Sequence, residues 1–348
     1  MNSCEKVRTR QTIAILTLIA AVHGVFIARL GYFWDDWMIL LVREKLTDSA
    51  FFPYYAVDRP TSAWVNFLFY WIPAENPIAW HLLACLFLFT IAVLFQKLLD
   101  TLWETSKTAN FATVLIFIAI PLFSQTYIAI TYAQHNIQYI LFLSSLLTTI
   151  QAVRTEKFLP KLGWIFLSLC LMVLELSVTE YFATLEFIRV IILWIILSHD
   201  DPNAKIRDRI LKTLQNSAPY GVILTLFFLY RLNFERWFPI QEADTAGIID
   251  LLRNSPMQGI ATALKLSFTT AAYPFFNFFG SLFSLEFPRF FEKSRLLFAG
   301  IAGFLGMMTF SVLRNEPKKE TPPLRNERIE RTAFALMYLL LGILPFII

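Results

Sequence analysis

The sequence predicts an all-α polytopic membrane protein, a bundle of about nine transmembrane helices with interfacial helices in its first outer loop. Three observations predict it. Of the 348 residues, 57% are hydrophobic and only 16% charged, where an average soluble domain is about a quarter charged; the mean hydropathy is +0.56. Apolar stretches long enough to cross roughly 30 Å of hydrocarbon recur along the whole chain. The short loops between them are alternately basic and poor in charge, the pattern of a chain threaded back and forth through a bilayer.

The expected spans are 12–31, 79–99, 111–131, 136–152, 162–179, 182–198, 217–232, 296–313 and 332–348. The first follows "MNSCEKVRTRQ"; it is too long for a signal-peptide core and lacks an A-x-A-like exit, so it reads as a signal anchor. The first outer loop, 32–78, carries Met38–Leu46 and Thr61–Ile72, both apolar enough to lie as helices on the bilayer surface, with Trp34, Trp37, Trp64 and Trp71 at interfacial depth. A single helix over 162–198 would be about 55 Å long at 1.5 Å per residue, too long for a bilayer, so "LSVTEY" marks a tight hairpin between the fifth and sixth spans. Residues 257–287 are interrupted by Lys265, Pro274 and Gly280 and read as a re-entrant or interfacial pair of helices within the second outer loop, 233–295. The chain stops at "GILPFII" inside its last span, as expected of a fragment or of a short family member. No internal repeat or soluble domain is visible, and 1–348 reads as a single transmembrane domain.

Orientation follows from Lys6, Arg8 and Arg10 at the N-terminus, Lys107, the 153–161 and 199–216 loops, and Arg314 to Arg331 in the 314–331 loop. All fall on one face if 257–287 does not cross, and that face is expected to be cytoplasmic. The two long loops then lie outside, and the absence of an N-glycosylation pattern in them favours a bacterial inner membrane. The formal net charge of +4 is small and scattered, which argues against a nucleic-acid partner. Cys4, Cys85 and Cys170 are too few and too far apart for a disulfide framework. The sequence has no H-x-x-x-H, H-E-x-x-H or C-x-x-C, which argues against zinc. It has no P-loop, G-x-G-x-x-G or G-x-S-x-G either, which leaves nucleotide-sugar or ATP chemistry on a soluble domain without support.

The chemistry-bearing residues begin with "GYFWDDWMIL". Asp35 and Asp36 stand between aromatic residues where the first span ends. Carboxylates at that depth can deprotonate a hydroxyl, bind a divalent cation such as Mg2+ or Mn2+, or orient a sugar; equally, they can form a solvated turn or cap the helix that follows. In "DRP", Pro60 suits the first position of a helix. Arg59 can meet a phosphate bidentately, or snorkel, or pair with Asp58.

This order of features resembles the GT-C superfamily of integral-membrane glycosyltransferases. It comprises a short tail, one helix, an aromatic-flanked DD opening a helical outer loop, an "RP" helix, and "P-x-x-W-H" (Pro77, Trp80, His81) leading into the second span. The protein mannosyltransferase and aminoarabinose transferase-like branch and the GtrII-type glucosyltransferases are the most similar branches. The resemblance is architectural over the first seven spans and motif-level in 31–81. It implies a polyprenyl-phosphate-linked sugar donor, a glycan, lipid or protein acceptor attacking on the outer face, and inversion at the anomeric carbon. A first-loop Asp then serves as general base or metal ligand, here Asp36, slightly favoured, or Asp35, with Arg59 one candidate to stabilise the leaving phosphate. A second acidic position of "KE" type is implied at an outer hairpin. Glu180 fits it, although Thr179 stands where the Lys is expected.

The remaining candidates keep two readings. Glu175, Glu180, Glu186 and Arg189 surround the fifth–sixth hairpin, and Glu186 and Arg189, three apart, can neutralise each other on one helix face. His135 in "TYAQHN" and His81 are binding candidates or amphipathic anchors. Arg231, with Arg236 and Lys265, can hold the donor's phosphate, as the resemblance suggests, or snorkel. The competing functions are a flippase or transporter of lipid-linked glycans, expected to carry ionisable groups along a central path, and a non-catalytic partner subunit of the same fold.

Overall fold

The computed structural model describes residues 3–25, 27–45, 51–55, 62–69, 71–73, 75–119, 127–233, 254–262, 265–266, 269 and 325–343. Arg59, Arg236 and the expected span at 296–313 lie outside the described residues, as does most of the second outer loop, of which 256–262 is helical. The described residues are mostly helical and contain no strand.

Five stretches among them are long and apolar enough to cross a membrane: Thr9–Arg29, Pro77–Leu102, Ala133–Arg154, Phe158–Leu176 and Glu180–Asp200. A multi-pass membrane protein follows. The first stretch is compound. Helix α1 (Ser3–Ile19) runs into a π-helical turn at Ala20–Gly24 and then a 3-10 turn at Ile27–Arg29. In the outer loop lie α2 (Asp36–Lys45), α3 (Phe51–Tyr55) and α4 (Ala63–Leu68). Helix α2 matches the expected surface helix closely, whereas α4 covers only the middle of the expected 61–72. Helix α5 (Pro77–Leu102) starts where Asn76 accepts the Ala79 N–H through its side chain at 3.0 Å, with Pro77 in the first turn where its missing N–H costs nothing.

The expected third span, 111–131, is not one helix. Helix α6 (Lys107–Ala119) covers its first part, while 127–132 turns instead; Pro121 between them disfavours continuation of a helix from the preceding turn. Helices α7 (Ala133–Arg154) and α8 (Phe158–Leu176) follow, and a tight turn after Leu176 confirms the expected hairpin. The sixth span opens with two 3-10 turns, Glu180–Phe182 and Leu185–Phe187, before α9 (Ile188–Asp200). Helix α10 (Ile206–Leu232) begins well before the expected 217, carrying Arg207, Asp208, Arg209 and Lys212 on its first turns. Helix α11 (Arg325–Ile343) closes the described chain.

Buried side chains from α1, α5, α6, α7, α9 and α11 make one core around Ile15, Ile91, Phe111, Phe142, Leu146 and Ile192. Mid-helix residues such as Leu86, Phe166, Val222 and Leu226 face outward, as expected of surfaces bathed in lipid. Helix α11 docks at two points. Arg331 donates to Asn110 at 3.0 Å and lies 4.8 Å from the Trp103 ring, and Tyr338 bonds Tyr139. Chain alternation therefore gathers the connections α5–α6, α7–α8 and α9–α10 at one end of the bundle. The first outer loop, the 127–132 turn and the 177–187 turns lie at the other. A second apolar cluster, with Ile39, Leu40, Tyr55, Ala63, Trp80 and Ile130, seats the outer loop on top of α5.

Candidate functional site

The two adjacent aspartates have opposite surroundings. Asp36 is fully buried as the first residue of α2. Its Oδ1 accepts the Thr131 N–H at 2.8 Å, the Thr131 hydroxyl at 3.0 Å and the Ile130 N–H at 3.1 Å, while its buried Oδ2 has no hydrogen-bond partner. Burial holds its carboxyl above the usual aspartate value of 3.8, against the pull of the hydrogen bonds from Thr131 and Ile130. Nearby, burial and then the Asp36 charge push the Tyr32 phenol up to about 12. Asp35 is exposed. Its backbone carbonyl receives the Met38 and Ile39 N–H groups at 3.1 and 3.2 Å, which starts the helix. Trp34, just before, has φ 51°, a left-handed conformation that strains a bulky side chain and turns the chain sharply at the pair.

From Asp36 a row of side chains runs across this end of the bundle. Tyr132 follows Thr131, and its phenol is raised by burial, by Tyr181 and by the charge of Asp35. The His135 ring lies 5.0 Å from Tyr132 and stacks at 5.2 Å on Tyr181. Glu180, beside Tyr181, pairs with Arg231 at the end of α10 at 3.7 Å, both side chains partly exposed. Five sequence candidates, Asp35, Asp36, His135, Glu180 and Arg231, are thus drawn into one row from four separate parts of the chain. Thr131, Tyr132 and Tyr181 join them unforeseen; the signal available was that Thr131 and Tyr132 share the "TYAQHN" turn with His135.

His81 makes a different contact. It is buried on α5, with Nε2 2.9 Å from the Gly31 carbonyl. A carbonyl only accepts, so Nε2 carries the proton, and the ring braces the start of the outer loop. For a divalent cation at Asp35 and Asp36 the residues do not fit. Oδ1 of Asp36 already accepts three hydrogen bonds and Asp35 faces solvent. Among the described residues no three His, Cys, Asp or Glu side chains converge as a metal site needs.

A second polar cluster lies deeper. Arg189 donates from Nε and Nη2 to the two oxygens of Glu186, both at 2.7 Å. It also donates to the Ser145 hydroxyl at 3.0 Å, the Ser145 carbonyl at 3.3 Å and the Thr149 hydroxyl, and lies 4.4 Å from the Tyr220 ring. The expected Glu186–Arg189 pair is therefore present. Fully buried Glu175 stands beside it on α8, capped only through its backbone, whose carbonyl takes the Gln138 amide at 3.1 Å.

Comparison with protein-family models, with curated proteins and with solved structures finds no match.

Proposed function

We propose that this protein is a membrane glycosyltransferase that moves a sugar from a polyprenyl-phosphate donor to a cell-envelope glycan, lipid or protein acceptor on the extracytoplasmic face. The observation that carries the reading is the row from Asp35 to Arg231. It sets an accessible carboxylate and a partly exposed guanidinium at the same end of the bundle, with aromatic faces of Tyr132, His135 and Tyr181 between them. Sugar transfer needs that combination. A carboxylate takes the proton from the acceptor hydroxyl, and the freed oxygen attacks the anomeric carbon. The bond from that carbon to the phosphate oxygen breaks with its electron pair, and a cation neutralises the polyprenyl phosphate that leaves. In this reading Asp35 is the base. Asp36, which the sequence alone favours slightly, has one oxygen engaged by Thr131 and Ile130 and no exposure, and it holds the loop in place. Arg231 meets the phosphate when Glu180 releases it. The order of motifs over 31–81 and the basic loops at the opposite end support both the reaction class and an inner-membrane orientation with the N-terminus in the cytoplasm.

The test is transfer from a radiolabelled polyprenyl-phosphate sugar to endogenous acceptor in vesicles. The double variant D35N/D36N is expected to insert normally and lose transfer by about 10²-fold or more, the usual worth of a positioned base; full activity would sink the proposal. A second reading, a transporter of lipid-linked glycans, is favoured by one observation, the ionisable cluster of Glu175, Glu186 and Arg189 inside the spans. Movement of a fluorescent lipid-linked glycan across protein-containing vesicles, without transfer, would decide for it.

A further inference from the structure

The geometry points to a proton-binding site inside the membrane: Glu175 is a carboxylic acid that holds one proton against Glu186, next to an arginine that has no donor left to offer it.

A donor count carries this. A guanidinium has five N–H groups and no acceptor. In Arg189, Nε is engaged by Glu186, Nη1 by the Ser145 carbonyl and the Thr149 hydroxyl, and Nη2 by Glu186 and the Ser145 hydroxyl. All five are spoken for. Arg189 and Glu186 cancel each other's charge with side chains that are each 1% exposed. Glu175 is then surplus: it is 0% exposed, and neither of its oxygens has a hydrogen-bond donor. The group it faces is the Glu186 carboxylate, and two carboxylates can bond each other only when one carries a hydrogen. An unpaired anion away from water is among the costliest things a protein can hold, and such a group neutralises instead.

The groups around Glu175 come from several elements. Helix α7 offers Gln138, Ser145 and Thr149, all neutral, and Gln138 is turned to the Glu175 and Thr179 carbonyls. Helix α10 offers Tyr220, whose hydroxyl bonds Ser168 on α8. Among the described residues only Glu186 and Arg189 bring charge to Glu175. Arg189 lies near the middle of its span and Glu175 next to the end of its own, so the proton sits within the spans, towards the 177–187 turns. Releasing it requires either a replacement cation or a change of partner in which Arg189 leaves Glu186 for Glu175. The site does not depend on the glycosyltransferase reading, and its test needs no transfer activity.

Infrared spectroscopy of the whole protein in lipid vesicles at neutral pH is expected to show a protonated-acid carbonyl band that shifts in heavy water and is missing from E175Q. If E175Q does not fold, carbodiimide labelling of wild type reads the same proton, because dicyclohexylcarbodiimide adds to protonated carboxyls in apolar surroundings. Glu175 is expected to be modified, with the adduct located by peptide mass spectrometry and the rate falling as pH rises. Absence of the band overturns the proposal when E175Q folds, and absence of both band and adduct overturns it when E175Q does not. Protection by sodium chloride but not choline chloride assigns the site to sodium ion and overturns the proton.

Discussion

Two glutamate–arginine pairs stand in this bundle under opposite conditions. Glu180 and Arg231 approach to 3.7 Å at the end of the bundle that carries Asp35 and Asp36, with side chains 26% and 31% exposed. Glu186 and Arg189 meet through two bonds of 2.7 Å and are shut away from solvent. The first pair is the longer one and is reached by water, which suits a site that must receive a phosphate. The second has every donor fixed by protein and is worth most as architecture, joining α7, α9 and α10 around one guanidinium. The same chemistry is therefore available to a substrate at one depth and closed to it at another.

The comparison can be broken most forcefully at the deep pair. R189L leaves Glu186 without its partner and is expected to destabilise by about 3–5 kcal/mol, the cost of stranding one member of a buried pair. Thermal unfolding in detergent reads it, and R189K, which keeps the charge but not the planar fork, should recover only part. The next effect belongs to Asp36. D36A removes the acceptor for Ile130 and Thr131 and is expected to cost about 1–3 kcal/mol. D36N, which retains a carbonyl oxygen, should cost less and should also flatten the acid limb of stability. The folded carboxyl lies above 3.8, so its contribution is fully present below that pH and is lost as pH rises through the folded value. Melting temperature should therefore fall more in wild type than in D36N as pH rises through the folded value, narrowing the gap between them; parallel curves would contradict the burial argument. The smallest effect is at the outer pair. R231Q should change stability by less than about 1 kcal/mol and lose even that in salt, while lowering transfer far more. A variant as unstable as R189L would erase the distinction between the pairs.

What could be read from the chain depended on the range of the interaction. The spans at Pro77–Leu102, Ala133–Arg154 and Phe158–Leu176 follow from runs of apolar residues, and the hairpin at 177–179 follows from helix length alone. Helix α2 was legible because an acidic pair precedes an apolar run. The start of α10 was not: "KIRDRILKTLQ" is basic enough to pass for a loop, yet its hydrophobic residues continue the span behind it. The different fates of Asp35 and Asp36 were invisible for another reason. Their partners, Thr131 and Tyr132, lie in a turn far along the chain, and nothing local distinguishes one aspartate from its neighbour. Glu186–Arg189 was legible as an i,i+3 pair, but the convergence of Glu175 on it depends on α7 and α10, which pack against both α8 and α9.

The π-helical turn at Ala20–Gly24 has a consequence for where the outer loop points. An α-helix advances about 100° per residue, and a π turn takes in one more residue than an α turn. The chain therefore leaves Gly24 rotated by roughly that angle from where a regular helix would have left it, before the tighter 3-10 turn at Ile27–Arg29 winds part of it back. Within the turn His23 is held inward, its Nε2 3.3 Å from the Ile118 carbonyl. The direction in which Asp35 and Asp36 leave the bilayer is thus set partly by arithmetic, a single residue's worth of winding inside the first span, and not only by what those residues are.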